Sequence, residues 1–376
     1  MMNEREEKVN SLYHQPWLLV QNQIRAEGGR EMQRFRGEPE PRDTQNGAEA
    51  WIGSVTSANG ATAEHPFLGQ SQVCLPDGSL RYLSQAIAQA PEEILGPRHV
   101  RVFGRELGIL LKMLDAKAPF LLQCHPSRQV AKTLWNSRYG KEECWHVLSV
   151  RQDMPEKPYI LLGFRPGITR QAFEKAYRDE NMPALEAMCH KIEVKPGETW
   201  FVPAGMPHAL GAGCFVIEVQ EPSDLTAVPV PQQTLIDFRR RANPRGVFSP
   251  MEEKLYERRT LESFDYTGYT LEEIKARCLS LNPVVRRGTW GEKRELIGGG
   301  QTPYFTCDQW RVKGSAPLEN SGMIRIGLVT EGSGALKTPL GTLPLQRGTE
   351  LFFPYDVPGM TLEGELTLVL CSPEKT

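Results

Sequence analysis

Residues 192–220 read IEVKPGETWFVPAGMPHALGAGCFVIEVQ, short apolar runs separated by Pro/Gly turns, and no other feature narrows the possible folds as far. Brief runs rich in Val, Ile, Phe and Trp that stop at Pro and Gly are strands, and their close succession predicts a barrel or sandwich. Residues 345–370, LQRGTELFFPYDVPGMTLEGELTLVL, repeat the order of turn glycine, polar residue, apolar strand, proline, turn and apolar strand. The repetition predicts a mainly β chain with two barrel lobes. The second copy has no histidine where the first has His208, so any chemistry that needs this histidine belongs to the first lobe alone.

Around these lobes the chain divides into four stretches. Residues 1–45 are polar and rich in Arg and Glu, which predicts an extended or mobile lead-in. Residues 46–229 form the first lobe. Here AEAWIGSVTSANG reads as a strand ending in an Asn-Gly turn, and PDGSLRYLSQAIAQA as a turn with a short helix after Ser79. PFLLQCHP and ECWHVLSV read as strands on either side of a turn near Tyr139 and Gly140. A helical insertion follows in TRQAFEKAYRDENMPALEAMCHK, with Thr169 as its N-cap. Residues 230–290 are a helical or looped connection, including PQQTLIDFRRRANPRG and TLEEIKARCLSLNP. Residues 291–376 return to strands and form the second lobe, without metal ligands.

Composition excludes several functions. A net charge of -2 carries no basic excess, so no nucleic-acid partner is expected. No run of eighteen apolar residues occurs, so no membrane span is expected. The start, MMNEREEKVNSLYHQPWLLV, has no apolar core of a secretory signal. Eight cysteines are scattered without a CxxC pair, several inside apolar runs, which argues against a zinc ribbon and for reduced thiols in the cytoplasm.

Three polar elements stand at strand edges. In Gln123-Cys124-His125, alternation points Gln123 and His125 to one face and Cys124 to the other. In KEECWHVL it groups Glu143, Trp145 and Val147, and sends Cys144, His146 and Leu148 to the opposite face, which removes His146 from the candidate set. A carboxylate leading an apolar strand is costly to bury unless a positive charge meets it. In PAGMPHALGAG, tight turns deliver His208 to the start of a return strand. Two imidazoles, one carboxylate and one amide oxygen make a plausible metal shell with open positions, and the lack of thiolates argues against a closed structural zinc site. Each element taken alone also has a plain reading, as a polar strand end or a surface turn.

LLKMLDAKAPFLLQCHPS, YGKEECWHVLSV, GFRPGITRQAF, VKPGETWFVPAGMPHALGAG and VIEVQEPSDLT together resemble the class I mannose-6-phosphate isomerases, a zinc-dependent family with a cupin (jelly-roll) fold. The resemblance runs from about Ala48 to about Thr226 and is looser in the second lobe. It implies one Zn2+ per chain, held by Gln123, His125, Glu143 and His208. It implies a sugar or sugar phosphate as the small-molecule partner, interconverted between aldose and ketose through an enediol-like intermediate. It matches Lys141 to the family's lysine before the metal glutamate. Lys141 and Asp224 become the candidates for the catalytic polar shell, and Arg128 for substrate binding; for Arg128 a solvated loop charge is the plain alternative.

The chain also departs from the family. Four residues past the Asp of the Ser-Asp motif the family carries an Arg, and here Val228 stands there. Loss of a fixed cation from a site that stabilises an oxyanion is worth a few kcal/mol, or roughly a hundred-fold in rate. Arg239, Arg240 and Arg241 offer a replacement, and a solvated helix face is their alternative. Two other functions therefore compete with isomerisation: a sugar-binding or regulatory cupin without turnover, and a metal-dependent cupin oxygenase.

Overall fold

The computed structural model describes residues 12–59, 61, 63–75, 78–230 and 250–375. Strands are numbered in chain order. One seven-stranded sheet runs β13 (Leu279–Ser280), β10 (Thr199–Val202), β7 (Glu143–Val150), β12 (Cys214–Gln220), β6 (Leu110–Asp115), β3 (Glu49–Ile52) and β2 (Gln23–Arg25). Opposite it lie β11 (His208–Leu210), β8 (Tyr159–Phe164) and β9 (Cys189–Glu193). Between the two sheets Trp145, Trp200, Ile160, Leu162 and Val216 pack into one buried cluster.

The second lobe is built on a ten-stranded sheet. Its order is β14 (Val284–Gly288), β15 (Gly291–Ile297), β16 (Phe305–Leu318), β20 (Met360–Pro373), β17 (Arg325–Thr338), β19 (Glu350–Phe353), β1 (Trp17–Leu19), β4 (Gln72–Cys74) and β5 (Leu80–Tyr82). A further strand, β18 (Gly341–Gln346), pairs with β17. The two lobes share a core in which Leu111, Met113, Phe215 and Ile217 meet Phe305, Ile326, Phe352 and Val369. The chain is thus mainly β, with two cupin lobes back to back.

Alternation along β7 explains how one strand serves both cores. Trp145 and Val147 enter the first barrel, while Cys144 enters the shared core, as period-two geometry requires. The helical insertion lies outside the three-stranded sheet, where Phe173 and Phe264 stack against Phe164. Thr169 caps the helix Arg170–Arg178 by accepting from the Ala172 amide. Thr270 and Glu273 form a reciprocal capping box on the helix Leu271–Cys278, which begins inside TLEEIKARC as expected.

Several expectations require correction. The stretch read as a polar lead-in is folded from Trp17 onward: β1 joins the second lobe and β2 the first. Its charges are consumed in ion pairs, Arg25 with Glu49 and Asp224, and Arg36 with Glu350 in a pair buried on both sides. Composition hid this, because those partners lie far away in sequence. Gln72–Cys74 and Leu80–Tyr82 also join the second lobe's sheet, although they fall inside the stretch assigned to the first. The helix expected after Ser79 begins at Leu83, behind β5. The strand in AEAWIG ends at Ile52, short of the Asn-Gly pair. PFLLQCHP is not a continuous strand; among the described residues its β-bridges are the isolated ones Gln123 to His208 and Cys124 to Ala227. Residues 239–241 lie outside the described residues.

No helix among the described residues is long and apolar enough to cross a membrane. All eight cysteines are free.

Candidate metal centre

Backbone pairing assembles the site. Gln123 and His208 exchange both backbone hydrogen bonds at 2.9 Å, so their side chains leave the same face of the ladder. His125 follows Gln123 by two residues. The Gly205 amide donates to the His125 carbonyl at 2.8 Å, and Gly205 holds φ at 86°, a conformation that glycine adopts without a Cβ penalty. Glu143 opens β7 and stands opposite Val202 and Gln220. Gly140 brings this strand close to the His125–Pro126 turn, since a Cβ there would sit 2.7 Å from the Pro126 carbonyl oxygen.

The result is a tight buried cluster. One ligand atom each from His125, Glu143 and His208 lies within 4.8 Å of the others. His125 Nε2 is 3.1 Å from Glu143 Oε2, and His208 Nε2 is 3.4 Å from Glu143 Oε1. Each imidazole is oriented by its other nitrogen: His125 Nδ1 donates to the Leu225 carbonyl and His208 Nδ1 to the Met206 carbonyl, both at 2.8 Å. With Nδ1 carrying the proton, each Nε2 presents a lone pair toward the carboxylate. Glu143 Oε1 and His208 Nε2 are buried without a hydrogen-bond partner among the described residues. Lys141 Nζ serves the other pair, His125 Nε2 and Glu143 Oε2, but Glu143 Oε1 and His208 Nε2 face each other at 3.4 Å in a dry interior and call for a cation between them. The donor set therefore fits a divalent metal ion.

Protonation favours the same reading. Burial, opposed by the Glu143 charge, pushes the His208 imidazole down to about 4. Burial and the nearby Lys141 ammonium lower His125 as well. Burial alone would raise the Glu143 carboxyl, but Lys141, His125 and His208 hold it well below the usual carboxylate range. At neutral pH the cluster is two neutral imidazoles and one carboxylate, the forms a metal binds.

A line of alternating charge runs away from this cluster inside the barrel. Lys141 Nζ lies 2.6 Å from His125 Nε2 and 2.5 Å from Glu143 Oε2. It is also 3.9 Å from Glu218 Oε1, which lies 2.9 Å from Lys112 Nζ. Trp145 Nε1 donates to the other Glu218 oxygen at 2.9 Å. Lys112, Glu218 and Gln220, whose Oε1 is buried without a partner among the described residues, were not singled out from the sequence. Lys112 and Glu218 carry the same local signal as Glu143, since each interrupts an apolar strand, LLKMLD and CFVIEVQ.

Three other sequence candidates have different surroundings. Asp224 is clamped by Arg25, which makes two contacts of 2.8 Å, and accepts from the Asn59 amide at 2.8 Å. Burial would raise its carboxyl, but Arg25 holds it far below the usual range. That leaves Asp224 ionised and occupied; it braces the loop whose next carbonyl, Leu225, orients His125. Arg128 stacks on Tyr304 at 3.6 Å and pairs with Glu221 at 2.6 Å and Glu374 at 3.4 Å, tying the lobes together. The backbone N and O of Val228 both bond the Tyr256 hydroxyl, at 3.3 and 3.2 Å. His146, on the face opposite Glu143 as expected, is buried between the lobes, where it bonds Thr199 Oγ1 at 2.8 Å and has Gln309 Nε2 3.5 Å away.

Residues 300–373 match the family described as the mannose-6-phosphate isomerase cupin domain. YvyI of Bacillus subtilis, provisionally described as a mannose-6-phosphate isomerase, is 28% identical over 283 residues, covering 73% of this chain and 79% of that protein. The mannose-6-phosphate isomerase of Streptococcus mutans is 25% identical over 285 residues, covering 74% and 79%. Among solved structures, the mannose 6-phosphate isomerase of Bacillus subtilis aligns with a TM-score of 0.71 at 20% identity, covering 95% of this chain and 99% of that one. A zinc-bound mannose 6-phosphate isomerase aligns with a TM-score of 0.68 at 16% identity, covering 96% and 100%.

Proposed function

We propose that this chain, a divergent relative of the mannose-6-phosphate isomerase cupins, is a zinc-dependent isomerase interconverting mannose 6-phosphate and fructose 6-phosphate or a closely related sugar phosphate. The observation that carries the reading is the buried meeting of His125, Glu143 and His208 around unpartnered acceptor atoms. Gln123, His125, Glu143 and His208 would hold one zinc ion, which when bound would polarise the sugar carbonyl and stabilise negative charge on its oxygen.

The chain's own groups supply the rest. Isomerisation moves one proton between C1 and C2 and shifts the carbonyl with it, through an enediol-like state, with no net oxidation. Lys141, 3% exposed, places Nζ beside the ligand atoms, where it can hydrogen-bond a sugar oxygen. The Lys112–Glu218 pair adds a second ammonium and a second carboxylate to the same interior. Because all four groups are buried, their charges act with little screening by water. Asp224 acts at a distance, by bracing the Leu225 carbonyl that turns His125.

A zinc-loaded sample tested against a panel of hexose phosphates and free hexoses should interconvert mannose 6-phosphate and fructose 6-phosphate. No aldose–ketose exchange on any member would sink the proposal. Saturable sugar binding without exchange would instead favour a binding cupin. Retained iron with no zinc would favour an oxygenase. The observation on the side of a non-catalytic cupin is Val228. Since its backbone is anchored to Tyr256 through main-chain atoms alone, Val228→Arg changes only the side chain. The variant is expected to raise mannose 6-phosphate kcat/KM by about ten-fold or more. An unchanged value would mean that the loss of the family cation is compensated elsewhere.

A further inference from the structure

The two lobes can be compared strand for strand, and the comparison picks out Arg325. In the first lobe β7 lies between β10 and β12; in the second, β17 lies between β19 and β20. Val202, the last residue of β10, pairs with Glu143, and Phe353, the last residue of β19, pairs with Arg325. One strand further, Lys112 stands opposite Glu218, and Asp308 stands opposite Leu370. Arg325 therefore occupies the register of the metal-facing carboxylate, with its charge reversed.

The surroundings of this guanidinium do not balance its charge. Arg325 is 7% exposed, forms no ion pair among the described residues, and its Nε has no hydrogen-bond partner there. Its neighbours are the Met360 sulfur at 3.8 Å and the Phe353 ring at 5.1 Å. Asp308 acts on it through space but is itself paired with Lys293 at 2.7 Å. A buried, unpaired guanidinium is destabilising by several kcal/mol, and an apolar side chain of similar volume would serve the core better. Backbone register places two hydroxyl residues on the neighbouring strands. Ile326 pairs with Cys371, which sets Arg325 opposite Ser372, and Ser372 pairs with Thr306.

We propose that the second lobe carries a site for a small oxyanion, a carboxylate or phosphate group, held by Arg325 at the position equivalent to the metal carboxylate of the first lobe. The planar guanidinium fork matches two oxygens of such a group, and the hydroxyls of Thr306 and Ser372 complete its hydrogen bonding. The duplicated barrel thus has a cation-binding interior in one lobe and an anion-binding interior in the other. This holds whether or not the first lobe turns over a sugar.

The test uses metal-stripped full-length protein, so that no anion can bind through zinc. Inorganic phosphate and acetate are titrated separately by calorimetry, against chloride at matched ionic strength. One of the two is expected to bind saturably at one site per chain, and which one does so distinguishes a phosphate from a carboxylate ligand. Arg325→Met should weaken that binding by about 100-fold. Arg325→Lys keeps the charge and should fold even if the methionine variant does not; lacking the fork, it should bind about ten-fold more weakly. No saturable binding of either oxyanion to the native chain, or native affinity in Arg325→Lys, would overturn the proposal.

Discussion

Glu143→Ala is expected to abolish retention of the proposed zinc ion and, with it, the proposed isomerase activity. Glu143 is fully buried and is the only carboxylate within reach of both His125 and His208 among the described residues. Removing it leaves two neutral imidazoles to face a divalent cation with no compensating charge. Loss of a supporting partner alone lowers metal affinity about 10–100-fold, and loss of a charged ligand should exceed that. The substitution also strands the Lys141 ammonium, so some loss of stability will accompany it. Glu143→Gln separates the two effects: it keeps the volume and a weak oxygen donor and should still lose most of the metal. The measurement is zinc per chain by elemental analysis after dialysis. Native zinc content in either variant would refute the proposed shell.

The second large effect is expected at Asp224, which Arg25 and the Asn59 amide clamp. Asp224→Ala leaves Arg25 with only Glu49 and removes the acceptor for the Asn59 amide. Asp224 is buried but the Arg25 side chain is 32% exposed, so breaking the pair from the carboxylate side should cost about 1–3 kcal/mol, between an exposed pair and a buried one, readable as a lowered midpoint in urea unfolding. A loss under about 1 kcal/mol would show that the clamp is not stabilising. The pH dependence has a definite sign. Asp224 titrates lower in the folded chain than in the unfolded one, so its contribution is fully present above the unfolded value near 3.9 and fades as pH falls below it. Native and Asp224→Asn proteins should therefore differ most in stability above about pH 4 and converge in stronger acid. Metal affinity should fall as well, because the Leu225 carbonyl that orients His125 loses its anchor.

Much of the site could be read locally. Side chains alternate along a strand whatever the strand pairs with, so GKEECWHV was enough to group Glu143 with Trp145 and to exclude His146. The Pro/Gly punctuation around His208 was equally local, and the internal repeat falls on corresponding strands, β10 beside β7 in one lobe and β19 beside β17 in the other. Long-range pairing was not legible. Polar composition made residues 1–45 look like a lead-in, yet Arg25 and Arg36 find their carboxylates at Asp224 and Glu350. Lys112 and Glu218 are lone charges in separate apolar strands, and only register sets them opposite each other.

The metal cluster divides along the same line. His125, Glu143 and His208 were recognisable because each carries its own turn or strand-edge signal, and period-two alternation decides which way each points. Their convergence within 4.8 Å, the carbonyls that pin the two imidazoles, and the engagement of Asp224 and Arg128 elsewhere depend on the three-dimensional pairing. A barrel brings together segments that are remote in the chain. Charge complementarity between such segments leaves no periodic trace in either one, so the donors could be named from residues alone but their partners could not.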